Sequence, residues 1–308
     1  MQIIHGARPL PRLNWPAATL GTFDGVHLGH QKILNEVIRW ARDNRGEAVA
    51  ITFSIHPRTV TAGQPAEFIT SLEHRLMLME RLGIDVAMVL AFDRRLASTP
   101  ADEFVRKYLH ELIKARGVVV GYNTRFGKDR AGDVTLLARL GRELGFDVRE
   151  VEPVRVDGKI VSSTAIRDEI GKGNIDHAAL MLGRAVSLLG TVVPGDGRGR
   201  RLGFPTANLD LHHETKPPAG VYAGYTVIDG ATWKALISIG SRPTFHTAES
   251  PEVVEVYVDR FHGDLYGRDI EVRFIRRLRG QERFASADEL VARIGQDLEE
   301  LRKTEVAG

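Results

Sequence analysis

The chain has 308 residues, of which 43% are hydrophobic and 27% charged, and its formal net charge is +2. This composition is typical of a globular protein with room for two domains, and it excludes a predominantly disordered chain. The sequence contains no cysteine, which excludes disulfides, cysteine-ligated zinc and a cysteine nucleophile.

Neither a membrane nor a nucleic acid is predicted as a partner. The longest apolar runs, such as Val86–Phe92, are far shorter than the roughly 20 residues that a membrane-spanning helix needs. The segment Met1–Arg12 lacks the apolar core of a signal peptide, so with the absence of cysteine we expect a cytoplasmic protein. The balance of 42 basic and 40 acidic residues does not indicate nucleic-acid binding. Nothing in the sequence predicts an oligomeric state.

Residues 16–184 alternate strand-like and helix-like segments. Continuous apolar runs predict strands that are covered on both faces: Ala17–Phe23, Ala48–Phe53, Val86–Phe92, Val118–Tyr122 and Val148–Val156. Amphipathic helices are predicted between them, including one over Leu72–Leu82 that begins at a capping box of Thr70 and Glu73 and ends at Gly83. This order predicts a doubly wound parallel sheet.

The remaining residues have a different pattern. Strand-like segments separated by glycine- and proline-rich turns predict an antiparallel sheet or barrel: Val186–Val193, Gly220–Ile228, Trp233–Ile239, Val253–Val258 and Ile270–Ile275. Leu290, Ile294, Leu298 and Leu301 fall on one face of a closing helix. We therefore predict an α/β domain over residues 1–184 and an antiparallel β-barrel domain with a closing helix over residues 185–308.

Two histidines follow the first predicted strand. Asp24–His30 joins that strand to a helix, and a helix N-terminus offers unpaired N–H groups and a positive dipole end to a phosphate. Gly25 and Gly29 allow the backbone to approach an anion closely. His27 and His30 could then stabilise charge that grows on an α-phosphate and on leaving pyrophosphate. A metal site is the weaker interpretation, because no third ligand has suitable spacing. The sequence also lacks the phosphate loop of P-loop NTPases.

The segment Gly21–Gln31 resembles the nucleotidyltransferase signature of prokaryotic FAD synthetases. Class I aminoacyl-tRNA synthetases share its His-x-Gly-His core, but the sequence has no Lys-Met-Ser-Lys-Ser loop. Further segments match the family in order: Thr52–Phe53 with His56–Arg58, Gly121–Gly127 and Ser162–Arg167. The resemblance implies that Arg167 acts with the two histidines and that Asn123 and Phe126 contact flavin. It also implies ATP contacts at Gly21, Phe23, Gly25, Gly29, Ser163 and Thr164.

A second phosphate-binding segment begins after the strand Val186–Val193. The loop Gly195–Gly203 combines glycines, whose N–H groups can surround a phosphate, with arginines that neutralise it. Thr206 and Asn208 follow it with a hydroxyl and an amide oxygen that point the same way on an extended segment. Such oxygen donors suit Mg²⁺ that is held jointly with ATP phosphates.

Gly203–Asn208 resembles the riboflavin kinase signature Gly-Phe-Pro-Thr-Ala-Asn. Three further segments match that family in order: Gly220–Tyr222, Ser238–Phe245 and Asp264–Gly267. The resemblance implies that Glu255 is the catalytic base for the riboflavin 5′-hydroxyl. It also implies flavin contacts at Tyr222 and Arg242, and phosphate contacts at Gly195, Gly197, Arg198, Gly199 and Gly203.

The chain is therefore identified as a member of the bifunctional prokaryotic riboflavin kinase and FMN adenylyltransferase family. The resemblance implies that ATP phosphorylates riboflavin to FMN and that a second ATP adenylylates FMN to FAD. A single-activity enzyme and a non-catalytic flavin-binding regulator are the alternatives. His27, His30, Thr206, Asn208 and Glu255 argue against both, because each proposed site keeps its reactive groups.

Overall fold

The computed structural model of the chain describes residues 1–8, 10–55, 60, 67–211, 214–241 and 252–306. The chain divides into two compact units, Met1–Ser163 and Thr164–Gly308. The domain boundary expected at residues 184 and 185 stays a prediction, since this division assigns residues 164–184 to the second unit. None of the helices in the described residues combines the length and apolar composition that crossing a bilayer requires.

The first unit is built on a parallel sheet that has six strands within the described residues. In the order β1-β4-β3-β2-β5-β6, these are β1 (Gln2–His5), β4 (Val86–Leu90), β3 (Ala48–Phe53), β2 (Ala17–Leu20), β5 (Gly117–Gly121) and β6 (Asp147–Val151). Strands β2 to β5 are buried throughout, which confirms the prediction of strands covered on both faces. That prediction was wrong for β6, which is largely exposed because it forms an edge of the sheet.

The strand order reverses beside β2. After β2 the chain continues outward through β3 and β4, and it then crosses back to add β5 and β6 on the other side. Ligands of open α/β sheets bind in the crevice at such a reversal, outside the carboxyl ends of the strands. The loops that follow β2 and β5 carry His27 and Asn123, so both lie at this crevice.

Helices cover the sheet of the first unit: α1 (Leu28–Asp43), α2 (Leu72–Leu82), α3 (Arg94–Ala97), α4 (Ala101–Phe104), which continues as π-helix over Val105–Ile113, and α5 (Val134–Leu144). A short hairpin of β7 (Arg155–Val156) and β8 (Lys159–Ile160) follows. Gly83 ends α2 in the left-handed conformation, as expected. The predicted cap of α2 was wrong: Ser71, not Thr70, accepts the backbone N–H of His74 at 3.2 Å. Thr70 instead accepts the N–H of Gly25 at 2.9 Å.

Two helices, α6 (Ser163–Lys172) and α7 (Ile175–Leu182), precede a closed antiparallel barrel. In the described part of the chain the barrel has the order β10-β13-β12-β11-β14-β9. Its strands are β9 (Ser187–Val193), β10 (Ala207–Leu211), β11 (Gly220–Ile228), β12 (Ala231–Ser241), β13 (Glu252–Val258) and β14 (Asp269–Arg279). A one-turn helix, α8 (Arg198–Arg201), lies between β9 and β10. The predicted barrel is thus confirmed.

The closing helix, α9 (Ala287–Lys303), is attached to the barrel mainly through its second half. Leu298 and Leu301 are buried and pack against apolar side chains of β11 and β12. Arg302 donates two hydrogen bonds to the carboxylate of Asp259, at 2.9 and 3.0 Å. The first half of α9 is more exposed, which leaves its apolar side chains available to line a cavity.

Candidate active sites

The turn between β2 and α1 has a strained backbone. Phe23 and Val26 both have positive φ angles, 52° and 39°. Such conformations cost about 1–3 kcal/mol each and persist only where the surroundings fix them. The buried carboxylate of Asp24 supplies part of that support, because its Oδ1 accepts the N–H groups of Ile69 at 2.8 Å and Thr70 at 3.2 Å. The turn is therefore held from a distant part of the chain.

Gly25 shows why this turn needs glycine. Its φ is +79°, and a Cβ at this position would lie 2.8 Å from the side chain of Ile69. The close approach also brings its N–H within hydrogen-bonding distance of Thr70. The predicted phosphate contacts at Gly21 and Gly29 lie at the two ends of the same turn.

The two histidines lie side by side at the start of α1. Nδ1 of His27 accepts the backbone N–H of His30 at 3.3 Å, and the two rings stack with centroids 3.6 Å apart. Because Nδ1 accepts this bond, the proton of neutral His27 is on Nε2, which can donate to an anion. Nδ1 of His30 is enclosed and has no hydrogen-bond partner among the described residues.

Burial sets the charge state of His30. Removal from water lowers the pKa of its imidazole well below the ordinary value of 6.5, and the nearby His27 and Arg75 lower it further. The imidazole is therefore neutral at neutral pH. A neutral ring can offer one N–H donor to a phosphate without adding a positive charge to a buried pocket.

Residues of the loop after β5 lie in two different environments. Asn123 is exposed beside the crevice, as a ligand contact requires. Phe126 is only 6% exposed and packs in the core with its ring centroid 6.1 Å from that of Phe104. Its proposed contact with flavin stays a prediction. His56–Arg58, which resembled a family segment, lies outside the described residues.

The predicted Ser-Ser-Thr segment contacts the turn through one residue of the first unit. The hydroxyl of Ser163 donates to the carbonyl oxygen of Asp24 at 2.9 Å. Thr164 and Arg167 belong to the second unit, where Nη2 of Arg167 donates to the hydroxyl of Thr164 at 3.4 Å. Their role beside the histidines stays a prediction.

Sequence reasoning missed a buried arginine next to this site. Arg75 lies on α2, and its side chain has no exposed surface. The guanidinium donates to the carbonyl oxygens of Thr22, of Phe53 at 3.1 Å and of Ser71 at 3.4 Å. An arginine in an amphipathic helix gives no sign of such a role, because arginines usually lie on the solvated face.

The second unit contains a cavity of about 520 Å³ between the glycine-rich loop, the barrel and α9. Its lining includes most residues predicted for the second site: Gly195, Gly197, Gly199, Thr206, Asn208 and Glu255. Arg198 begins α8 within this loop, and Gly203 follows the helix with φ of +88°. The barrel thus brings together residues that are up to 60 positions apart, from Gly195 to Glu255.

Strand register places Asn208 beside Glu255. Asn208 of β10 pairs directly with Glu255 of β13, and Ser238 of β12 pairs with Glu255 from the other side. Side chains of directly paired residues have Cβ atoms roughly 5 Å apart. Val254 and Val256 are each 1% exposed, so the alternation of the strand directs the carboxyl group of Glu255 to the opposite, cavity-lining face.

The loop backbone lies directly against the two oxygen-bearing side chains. A Cβ at Gly195 would lie 2.1 Å from Nδ2 of Asn208, and one at Gly199 would lie 3.1 Å from Oγ1 of Thr206. A larger residue at either position would displace these side chains. Hydroxyl and amide oxygens under a cradle of glycine backbone are a donor set that fits Mg²⁺ bound to phosphates.

The opposite wall of the cavity combines apolar side chains with an ion pair and was not predicted. Leu290 and Ile294 of α9 line it, although the sequence indicated them only as the packing face of a helix. Arg279 and Asp297 lie at the same wall and form an ion pair, with Nε and Oδ2 2.9 Å apart. Asp297 is 2% exposed, so this pair fixes α9 against β14 from within.

Of the two residues predicted to contact flavin in this unit, the structure describes Tyr222, which does not line the cavity. Tyr222 is fully buried, and its hydroxyl donates to the carbonyl oxygen of Pro218 at 2.5 Å. Its neighbour Val221 lines the cavity, because adjacent residues of a strand face opposite sides. Arg242 lies outside the described residues. The flavin contact of Tyr222 stays a prediction.

Comparison with known proteins matches two family models to the chain, one after the other. The FAD synthetase family model matches residues 13–165, and the riboflavin kinase family model matches residues 182–305. A Pseudomonas fluorescens protein named bifunctional riboflavin kinase/FMN adenylyltransferase is 36% identical over 299 residues, which cover 97% of this chain and 96% of the relative. An Escherichia coli K12 protein of the same name is 35% identical over 301 residues, 96% of each chain.

A solved structure supports the whole-chain fold. The crystal structure of a Streptococcus pneumoniae protein named macrolide-efflux protein superposes with a TM-score of 0.83 at 30% identity. The match covers 99% of this chain and 100% of that one. With two family models in order and relatives matched along almost their full length, the chain belongs to the bifunctional riboflavin kinase/FMN adenylyltransferase family.

Proposed function

We propose that this chain phosphorylates riboflavin to FMN in its second unit and adenylylates FMN to FAD in its first, using one ATP for each step. The observation that supports the proposal is that each unit brings together side chains and backbone groups suited to holding ATP phosphates. One set lies at the crevice beside His27 and His30, and the other lines the cavity of Thr206, Asn208 and Glu255. Both steps consume ATP, which fits the cytoplasmic location expected from the composition.

In the kinase step, the carboxylate of Glu255 takes the proton of the riboflavin 5′-hydroxyl. The oxygen then forms a bond to the γ-phosphorus of ATP, the bond from that phosphorus to the β,γ-bridging oxygen breaks, and ADP leaves. Mg²⁺, which ATP-dependent kinases and adenylyltransferases generally require, would be held by Thr206 and Asn208 and would neutralise phosphate charge. The backbone of Gly195–Gly203 covers the phosphates.

The cavity also has a suitable surface for an aromatic ring. Leu290 and Ile294 of α9 and Val221 and Leu236 of the barrel are apolar lining residues of the cavity. A planar isoalloxazine would pack against this apolar surface, with its polar ribityl chain directed toward Glu255. This orientation brings the 5′-hydroxyl to the carboxylate that accepts its proton.

In the transferase step, an oxygen of the FMN phosphate forms a bond to the α-phosphorus of ATP. The bond from that phosphorus to the α,β-bridging oxygen breaks, and pyrophosphate leaves. Nε2–H of His27 and the neutral imidazole of His30 donate hydrogen bonds to the phosphate oxygens as charge develops on them. Ser163, Thr164 and Arg167 are proposed to hold the same phosphates, and Asn123 the flavin.

Incubation of riboflavin with Mg²⁺ and ATP, followed by chromatography, tests the proposal directly. Appearance of FMN and then of FAD supports both activities. FMN alone would refute the transferase step and favour a single-activity enzyme. Flavin binding without turnover would favour a non-catalytic regulator and refute both steps.

A further inference from the structure

Arg75 connects the ends of two central strands. Its guanidinium is buried and donates to the carbonyl oxygens of Thr22, which follows β2, and of Phe53, which ends β3. A third bond, to the carbonyl oxygen of Ser71, holds the start of the helix on which Arg75 lies. Burying a charged group is unfavourable unless it is paired or hydrogen-bonded, so these contacts with backbone oxygens are essential to keeping the guanidinium inside the unit.

The carbonyl group of Thr22 is fixed from two sides. Besides Arg75, the hydroxyl of Thr52 donates to it at 3.2 Å. The next residue, Phe23, adopts the left-handed conformation, and its ring meets the imidazole of His30 edge-on, with centroids 5.4 Å apart. The position of the Thr22 carbonyl group therefore sets where the ring of Phe23 lies against His30.

We propose that Arg75 is a positioning residue for adenylyl transfer. By holding the Thr22 carbonyl group, it fixes the strained turn and, through Phe23, the orientation of the His30 ring that stacks on His27. It does not touch the substrate in this role. The inference rests on the proposal that the two histidines stabilise the transferred phosphate.

The positive charge of the Arg75 guanidinium also supports the proposed role of His30. After burial itself and the neighbouring His27, Arg75 is a further cause of the lowered pKa of His30. The same side chain therefore favours the neutral imidazole that it helps to orient. An apolar replacement would lose both effects and would remove the side-chain donor shared by the carbonyl oxygens of Thr22, Phe53 and Ser71.

The test compares Arg75→Met, which keeps an unbranched apolar stem without the guanidinium donors, with Arg75→Lys, which keeps charge and part of the hydrogen bonding. Leu76→Ala is the matched control, because the adjacent buried Leu76 packs against a separate cluster with Ala87 and Val89. For each full-length variant, kcat and KM are measured for FMN adenylylation and for riboflavin phosphorylation, with the thermal midpoint. The kinase step reports on the second unit of the same molecule.

Arg75→Met should lower kcat for adenylylation about 10²-fold, the loss that a misplacement of about 1 Å can cause, with KM values and kinase activity nearly unchanged. Arg75→Lys should recover part of that kcat. Leu76→Ala should lower the thermal midpoint and leave kcat unchanged. If Arg75→Met does not fold, a reduced kcat of Arg75→Lys at an unchanged thermal midpoint supports the same role.

Three results would overturn the inference. Arg75→Met could adenylylate FMN with the kcat of the wild-type protein, or Arg75→Lys could have a kcat no higher than that of Arg75→Met. The third result is a loss of kcat in Leu76→Ala equal to that in Arg75→Met. A wild-type chain that makes no FAD would instead refute the proposed transferase activity. His30→Gln distinguishes failure of the positioning role from failure of the transferase proposal. If His30→Gln no longer forms FAD while Arg75→Met keeps the wild-type kcat, only the positioning role is overturned.

Discussion

At the residue scale, the kinase proposal depends on the carboxyl group of Glu255. Glu255→Gln keeps the size of the side chain and removes its ability to accept a proton, so FMN formation should fall about 10²–10⁴-fold. Conversion of added FMN to FAD should be unchanged, as followed by chromatography. Glu252→Gln is the control, because Glu252 is on the same strand, pairs with Lys216 and lies outside the cavity lining. Loss of both steps in Glu255→Gln would contradict the assignment of sites to units.

His30 couples the stability of the first unit to pH. Its pKa is lowered in the folded protein and is near 6.5 in an unfolded chain, so unfolding takes up a proton below that pH. The free energy of unfolding should therefore fall as the pH drops below about 6.5 toward the lowered folded value. His30→Gln should make this decline shallower.

Thermal unfolding between about pH 7.5 and about pH 5.5 measures the effect, since this range spans the titration of an ordinary histidine. His110→Gln serves as the matched control, because His110 is an exposed histidine of the same unit. Equal slopes for His30→Gln and the wild-type protein would show that His30 does not contribute.

Apart from Glu255, to which the family resemblance pointed, the reactive residues that the sequence pattern identified are those whose partners are close along the chain. His27 and His30 bond to each other across three positions, and Thr206 and Asn208 lie two positions apart. Arg75 bonds across 53 positions to Thr22, so only folding reveals its partner. The same reason explains why the ion pair at the cavity wall was missed.

At the element scale, the glycine-rich loop and β10 must pack without side chains between them. Gly195→Ala would place a Cβ 2.1 Å from Nδ2 of Asn208, and the amide would have to move. We expect riboflavin phosphorylation to fall about tenfold or more, because displacement by about 1 Å disturbs a reacting geometry. Gly295→Ala is the control: it lies on α9 with open space around the added methyl group. Steady-state kinetics measure the rate of riboflavin phosphorylation in both variants, and equal rates would contradict the packing argument.

Hydrophobic pattern predicted the buried elements well. The predicted bounds of β3 and β11 coincide with the observed strands Ala48–Phe53 and Gly220–Ile228. Edge strands were predicted less well, because β1 is short and β1 and β6 are both largely exposed. The bounds of α2 were predicted correctly, but its capping residue was missed by one position, because Thr70 accepts a tertiary hydrogen bond from the N–H of Gly25, a contact that local capping rules do not include.

At the scale of the whole molecule, two reactions in separate units should complement each other between chains. A mixture of Glu255→Gln, which lacks the kinase base, and His30→Gln, which lacks a transferase imidazole, should convert riboflavin to FAD. Neither variant alone should do so. Time-resolved chromatography of the mixture should detect FMN before FAD. If the mixture forms no FAD, the proposal that FMN released by one site can be used by the other is contradicted.

The order of the two folds could be predicted from the sequence, because the hydrophobic residues of each fold follow a different pattern. Continuous apolar runs predicted the parallel sheet, and closely spaced strands with glycine- and proline-rich turns predicted the barrel. The closure of the barrel, however, depends on pairing between β9 and β14, which are far apart in the chain. The cavity under α9 depends on that closure, so it could not be predicted from local sequence patterns.

The direct pairing of Asn208 with Glu255 limits how such chains can change in length. One residue inserted within β13 ahead of Glu255 would turn the carboxylate to the face now occupied by Val254 and Val256, and two would restore the face but displace the group by about 6.6 Å. Insertions and deletions should therefore accumulate at hairpin tips such as Asp229–Gly230, between β11 and β12, while the strands that carry the proposed base keep a constant length.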